Sequence, residues 1–193
     1  MSALVDSVPL RITHRYRTAA WVAIGGILML FVALTSAYIV RSASSNDWRA
    51  ISLPKILWLS TALLVVSSGS IEIARRSLKE KANSYSAWLI TTLGLGSAFV
   101  ISQFIAWRQL ARQGVYLAAN PYNSFFYLFT AAHGLHVLGG LCGLIYLVVR
   151  TRTARPTAEG EMRRLGAAEA VTIYWHFMDV LWIGLFLLLM FWK

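Results

Sequence analysis

Five long apolar runs, near residues 19–40, 55–74, 87–107, 125–149 and 171–192, dominate this chain of 193 residues. A bilayer's hydrocarbon core is about 30 Å thick, and roughly 20 helical residues cross it. Each run is long enough. A backbone inside lipid must satisfy its own N–H and C=O groups, so apolar runs of this length imply helices. The fold class expected is therefore all-α, a polytopic bundle of five transmembrane helices forming one integral membrane domain over residues 1–193. With 58% hydrophobic and only 13% charged residues, the composition is too apolar for a soluble domain of this size. The first run, "AAWVAIGGILMLFVALTSAYIV", carries no charge. It exceeds the roughly 7–15 residues of a signal-peptide core, so it reads as a retained anchor.

The net charge of +10 suggests nucleic acid until the basic residues are placed. Twelve of the 18 fall on one side of the proposed membrane: Arg11, Arg15, Arg17, Arg75, Arg76, Lys79, Lys81, Arg150, Arg152, Arg155, Arg163 and Arg164. Arg41, Arg49, Lys55, Arg108, Arg112 and Lys193 fall on the other. The positive-inside rule puts the N-terminus in the cytoplasm and the C-terminus outside. The excess charge is thus a topology signal and a contact for anionic lipid, with no nucleic-acid partner. Loops are short. The longest, near 150–170, mixes both charge signs with Pro156 and Gly160, and reads as a connector with a helical turn or two near its end. The single cysteine, Cys142, allows no intrachain disulfide and no cysteine-based metal site.

Aromatic residues collect where the interfaces should lie: Trp21, Tyr38, Trp58, Trp88, Trp107, Tyr122, Tyr127, Tyr174, Trp175 and Trp192. Gly139 with Gly143, and Gly94 with Gly96, offer small faces for helix packing. There is no internal repeat, no phosphate-binding glycine loop and no nucleophile elbow.

Ionisable groups inside a bilayer are costly, which singles out Glu72, His133, His136, His176 and Asp179. His133 and His136 share one helix face, as do His176 and Asp179. A bis-histidine haem needs two imidazoles from different helices at one depth. At 1.5 Å per residue the nearest cross-helix pair is mismatched by about 10 Å. One pair spaced i,i+3 also lacks further ligands for a metal site. The histidines therefore read as interhelical hydrogen-bonding or lipid-contacting groups. Glu72 precedes Arg75 and Arg76, at i+3 and i+4, as a local ion pair near the inner interface, at a depth similar to that of His176. Asp179 is open to pairing with His176, to accepting from a neighbouring helix, or to a role in proton movement. Two rival readings use the same residues: a membrane b-type cytochrome with His133 or His136 and His176 as haem ligands, and a small permease using Asp179 and Glu72.

These residues sit in stretches that are recognisable. "SFFYLFTAAHGLHVLGG" and "YWHFMDVLW" closely resemble the signature segments of subunit III of haem–copper terminal oxidases. "LWLSTALLVVSSGSIEIARRSL", "AWRQL" and "GVYLAANP" are similar to the second and third helices of that family's five-helix form. The resemblance covers about residues 19–192. It implies a bundle with a lipid-filled, V-shaped cleft between helices 1–2 and 3–5, in a bacterial-type cell membrane. It implies a non-catalytic subunit, with no haem or copper of its own, beside partner subunits that hold them and reduce O2 to water while pumping protons. Its expected partners are subunit I as the main contact, subunit II, small subunits and phospholipid. On this basis Arg75, Arg76, His176 and Trp175 are candidate lipid-binding residues, and Glu72, His133, His136 and Asp179 are structural intramembrane polar groups. The chain departs from the family in its first helix. A buried Glu commonly lies about eleven residues before an "AYLV"-like motif, and counting back from Tyr38 lands on Ile27. That run contains no acid, so any family role for the carboxylate lacks its residue.

Overall fold

A computed structural model describes residues 2–44, 46–49, 51–80, 82–118, 120–153 and 157–192, with side chains from residue 14 onward except 152, 153 and 158. The side chains of Arg11 and Arg152, and residues Lys81, Arg155, Pro156 and Lys193, all counted above, lie outside the described residues. The described residues form five helices: α1 (Ser2–Ser44), α2 (Ile56–Lys79), α3 (Tyr85–Arg112), α4 (Pro121–Thr153) and α5 (Ala158–Phe191). All five contain a span long and apolar enough to cross a membrane, and the described residues include no strand.

The helices outrun the apolar runs that announce them, for local reasons. α4 begins four residues before its run, at Pro121, because Pro suits the first helical position and the Asn120 side chain accepts from the Asn123 N–H at 3.2 Å. α5 begins well before its run. The connector expected after residue 150 is helical from Ala158, where Thr157 caps the helix by accepting from the Gly160 N–H and Glu159 and Glu161 occupy the positive first turn. α3 closes at Gly114, whose φ of 77° suits glycine, with Val115 N–H bonded to the Leu110 carbonyl at 3.0 Å.

Packing follows small residues at heptad-like spacing. Buried Leu57, Ser60, Leu64, Ser67, Ile71 and Ala74 alternate three and four apart on α2. Leu89, Thr92, Gly96, Phe99, Gln103, Ala106 and Leu110 do the same on α3. Seams with this period pack side by side, and small residues let membrane helices approach. The α2–α3 pair is the most intimate in the bundle. Polar bonds stitch it: Ser70 with Thr92 at 2.7 Å, and the Gln103 amide donating to Ser60 at 2.9 Å.

α5 is the hub, touching α1, α2 and α4. Its Trp175 is fully buried and donates to Ser67 of α2 at 3.0 Å. Gly96 of α3 and Gly140 of α4 press on the same indole. Tyr38 of α1 reaches across to donate to the Trp192 carbonyl at 2.6 Å, inside a cluster of Trp48, Tyr122, Phe125 and Phe129. Tyr38, Tyr122 and Trp175 are thus core residues, not members of an interfacial belt.

The expected partition of helices is corrected here. α1 and α2 do not pack on each other: α1 lies on α5 and lightly on α4, whereas α2 joins α3 and α5. Both pack on α5, and we term the α5 face that separates them the groove. A division of helices 1–2 from 3–5 would cut through the tightest seam in the molecule.

Candidate functional site

The polar residues singled out in the sequence separate into two groups. One is dispersed. His133 is fully buried, its ring 5.0 Å from that of Trp182 and 5.8 Å from that of Phe99, and neither ring nitrogen has a hydrogen-bond partner among the described residues. His136 turns back on its own helix, with Nδ1 2.7 Å from the Ala132 carbonyl, and meets the Phe31 ring edge-on. Among the described residues neither imidazole makes an interhelical hydrogen bond, one of the two roles expected of it. The contacts are ring packing, because Phe99, Trp182 and Phe31 occupy the facing positions. Among the described residues no three His, Cys, Asp or Glu side chains converge as a metal site.

The second group is continuous. Along α2 from its start at Ile56, Ser68 lies about 18 Å in, Glu72 about 24 Å and Arg76 about 30 Å. The Arg75 guanidinium grips Glu72 with two bonds, Nε to Oε2 at 2.8 Å and Nη2 to Oε1 at 2.6 Å. Arg76 adds Nε to Oε1 at 3.1 Å. A bidentate guanidinium–carboxylate pair is geometrically specific. It commits Arg75, whose side chain is 27% exposed, and leaves the outer nitrogens of Arg76, 70% exposed, turned outward. From α5, His176 sets Nε2 3.9 Å from Glu72 Oε2, and its Nδ1 lies 2.5 Å from the Ser68 hydroxyl. Ser68 also stands beside Asp179, one turn further along α5. Asp179 is 7% exposed, and its Oδ1 has no partner among the described residues.

Glu72, Arg75, Arg76, His176 and Asp179 are therefore brought onto one α2–α5 line, and Ser68 joins them. Ser68 was not singled out from the sequence, although the run "SSGS" one turn before Glu72 was a visible signal. Trp175 is corrected out of the group. Its side chain points to Ser67 and the two glycines in the core, so it offers no surface to a lipid in the groove.

At the Arg75 end of the line a cavity of about 230 Å³ is lined by Arg75, Lys79, Glu161 and Glu169. Glu169 also meets Arg17 of α1 at 3.7 Å, which ties α1 to α5 at this end. Chemically the arrangement presents an outward guanidinium beside mixed charges at one helix end, and titratable groups within hydrogen-bonding reach inside the bundle.

Residues 25–193 match the family model for cytochrome c oxidase subunit III. The chain is 35% identical to a probable cytochrome c oxidase subunit 3 of Nocardia farcinica, over 82% of this chain and 79% of that one. It is 32% identical to a probable cytochrome c oxidase subunit 3 of Mycobacterium bovis, over 85% and 81%. A cytochrome bo(3) ubiquinol oxidase subunit 3 of Pseudomonas aeruginosa is 29% identical, over 86% and 79%.

Proposed function

The chain belongs to the cytochrome c oxidase subunit III family, and from that premise we propose that it serves its oxidase as a non-catalytic, lipid-binding subunit that stabilises subunit I and supports proton uptake. In this reading the haems and copper reside in partner subunits, with subunit I the principal neighbour and subunit II and small subunits beyond. The protein lies in a bacterial-type cell membrane, with the Arg75 end of the bundle cytoplasmic.

The observation that carries the lipid assignment is the unequal state of two adjacent arginines. Glu72 consumes Arg75, and the same carboxylate fixes Arg76 by Nε alone, leaving its outer nitrogens to hold a phosphate. The groove between α1 and α2 supplies the space for acyl chains, and His176, with a side chain 41% exposed, supplies a polar surface on its floor. A polar group on a lipid-facing surface is costly unless something polar covers it. This replaces the earlier expectation of a cleft shared by α1 and α2 against the rest.

Native mass spectrometry of the complex tests the site. Wild type should carry phospholipid that an Arg75→Ala, Arg76→Ala double variant loses, and Arg76→Ala alone should account for most of the loss. Equal retention in all three would overturn the lipid site.

A further inference from the structure

Asp179 enters neither the packing seams nor the lipid groove as a paired group, yet it stands beside Ser68, which is hydrogen-bonded to the exposed His176. We propose that Asp179 is a proton-binding site in the interior of the bundle, loaded from the Arg75 end through His176 and Ser68. The inference shares His176 with the lipid assignment but not the Arg76 contact that carries it.

The path has three links. His176 is the accessible one: its side chain is 41% exposed, and its Nε2 is 3.9 Å from the Glu72 carboxylate. Arg75 and Arg76 clamp Glu72 and keep it from swinging into the path, so it acts as a positioning residue. The second link is the 2.5 Å contact between His176 Nδ1 and the Ser68 hydroxyl. The third is Ser68 beside Asp179, whose Oδ1 is buried and unpartnered among the described residues. Among the described residues no arginine or lysine pairs with Asp179. On α1, Arg17 is engaged with Glu169. On α4, His133 lies between rings and His136 faces its own helix. A carboxylate so placed is poorly compensated, and protonation relieves it.

The transfer balances. Water delivers a proton to His176 Nε2 while the Nδ1 proton passes to Ser68 Oγ. The original hydroxyl proton of Ser68 passes to the Asp179 carboxylate. Asp179 ends as the acid, Ser68 remains a hydroxyl, and His176 is neutral with its proton on Nε2. The exposed ring then exchanges with water to restore the starting tautomer. Release runs in reverse.

Infrared difference spectroscopy of the intact oxidase in vesicles, with the pH stepped on one side, tests this. Aspartate labelled with carbon-13 shifts the carboxyl signal, and Asp179→Asn identifies it by its loss. If Asp179→Asn does not assemble, Asp179→Glu identifies it by displacement. The signal should respond to a step on the Arg75 side and not to one on the Trp192 side. Its rate should fall at least tenfold in His176→Leu and in Ser68→Ala. An Asp179 signal that never changes with pH, that answers both sides equally, or that keeps its rate in both relay variants would overturn the proposal.

Discussion

Gly96 and Gly140 hold opposite parts of the Trp175 indole so closely that an added Cβ would stand 2.7 Å from Cη2 in the first case and 2.9 Å from Cε3 in the second. The ring has nowhere to go, since its N–H is fixed to Ser67. Gly96→Ala and Gly140→Ala should each destabilise the chain by about 1–3 kcal/mol, the usual range for overpacking. Reversible unfolding in mixed micelles measures this. Gly94→Ala is the control, because a Cβ there meets nothing within 4 Å, and an equal loss in it would defeat the explanation. His133 gives the opposite expectation. With no hydrogen bond to lose among the described residues, His133→Leu should change stability by less than about 1 kcal/mol, in line with the small average for membrane hydrogen bonds. The sequence showed that glycines line α3 and α4, but not which of them touch. Gly94 and Gly96 are two residues apart and about 200° around the helix, so only the rotation of α3 against α5 selects between them. His133 and His136 do face other helices, but what they meet there are the rings of Phe99, Trp182 and Phe31.

Between elements, the α2–α3 seam was readable in principle, since both helices carry buried small residues at alternating spacings of three and four. What that spacing cannot specify is the partner. Ser67, Ser68 and Ser70 are neighbours in sequence but serve Trp175, His176 and Thr92 respectively, on two different helices. Ser67→Ala should therefore weaken the α2–α5 contact by about 0.6–1.7 kcal/mol, between the average and the maximum measured for interhelical hydrogen bonds, whereas Ser70→Ala should loosen α2 from α3 instead. Disulfide-trapping rates between cysteines placed on each helix pair distinguish them. If both substitutions slowed or sped the same pair, the division of labour along α2 would be wrong. Glu72 with Arg75 and Arg76 was legible because i,i+3 and i,i+4 pairs are set by one helix alone. The His176 end of the line required the fold.

For the whole molecule, five spans and an all-α bundle could be read directly, because a bilayer leaves a chain few alternatives. The 12-to-6 split of basic residues supports the proposed orientation, with the Arg75 end cytoplasmic. In a Cys142→Ser background, a cysteine replacing Asn83 should be shielded from an external impermeant maleimide, and one replacing Tyr116 should react. The reverse pattern would invert the topology. Helix adjacency was not legible, since consecutive helices are usually neighbours and α1 and α2 are not. That arrangement bears on biosynthesis. A nascent chain that has released α1, α2 and α3 into the membrane holds one finished pair and one lone anchor, for α1 finds its first light contact in α4 and its main one in α5. The last of these five to leave the ribosome is the one that joins the two parts, so a truncation before α5 would remove the junction itself and leave α2–α3 and α1 linked only through α4.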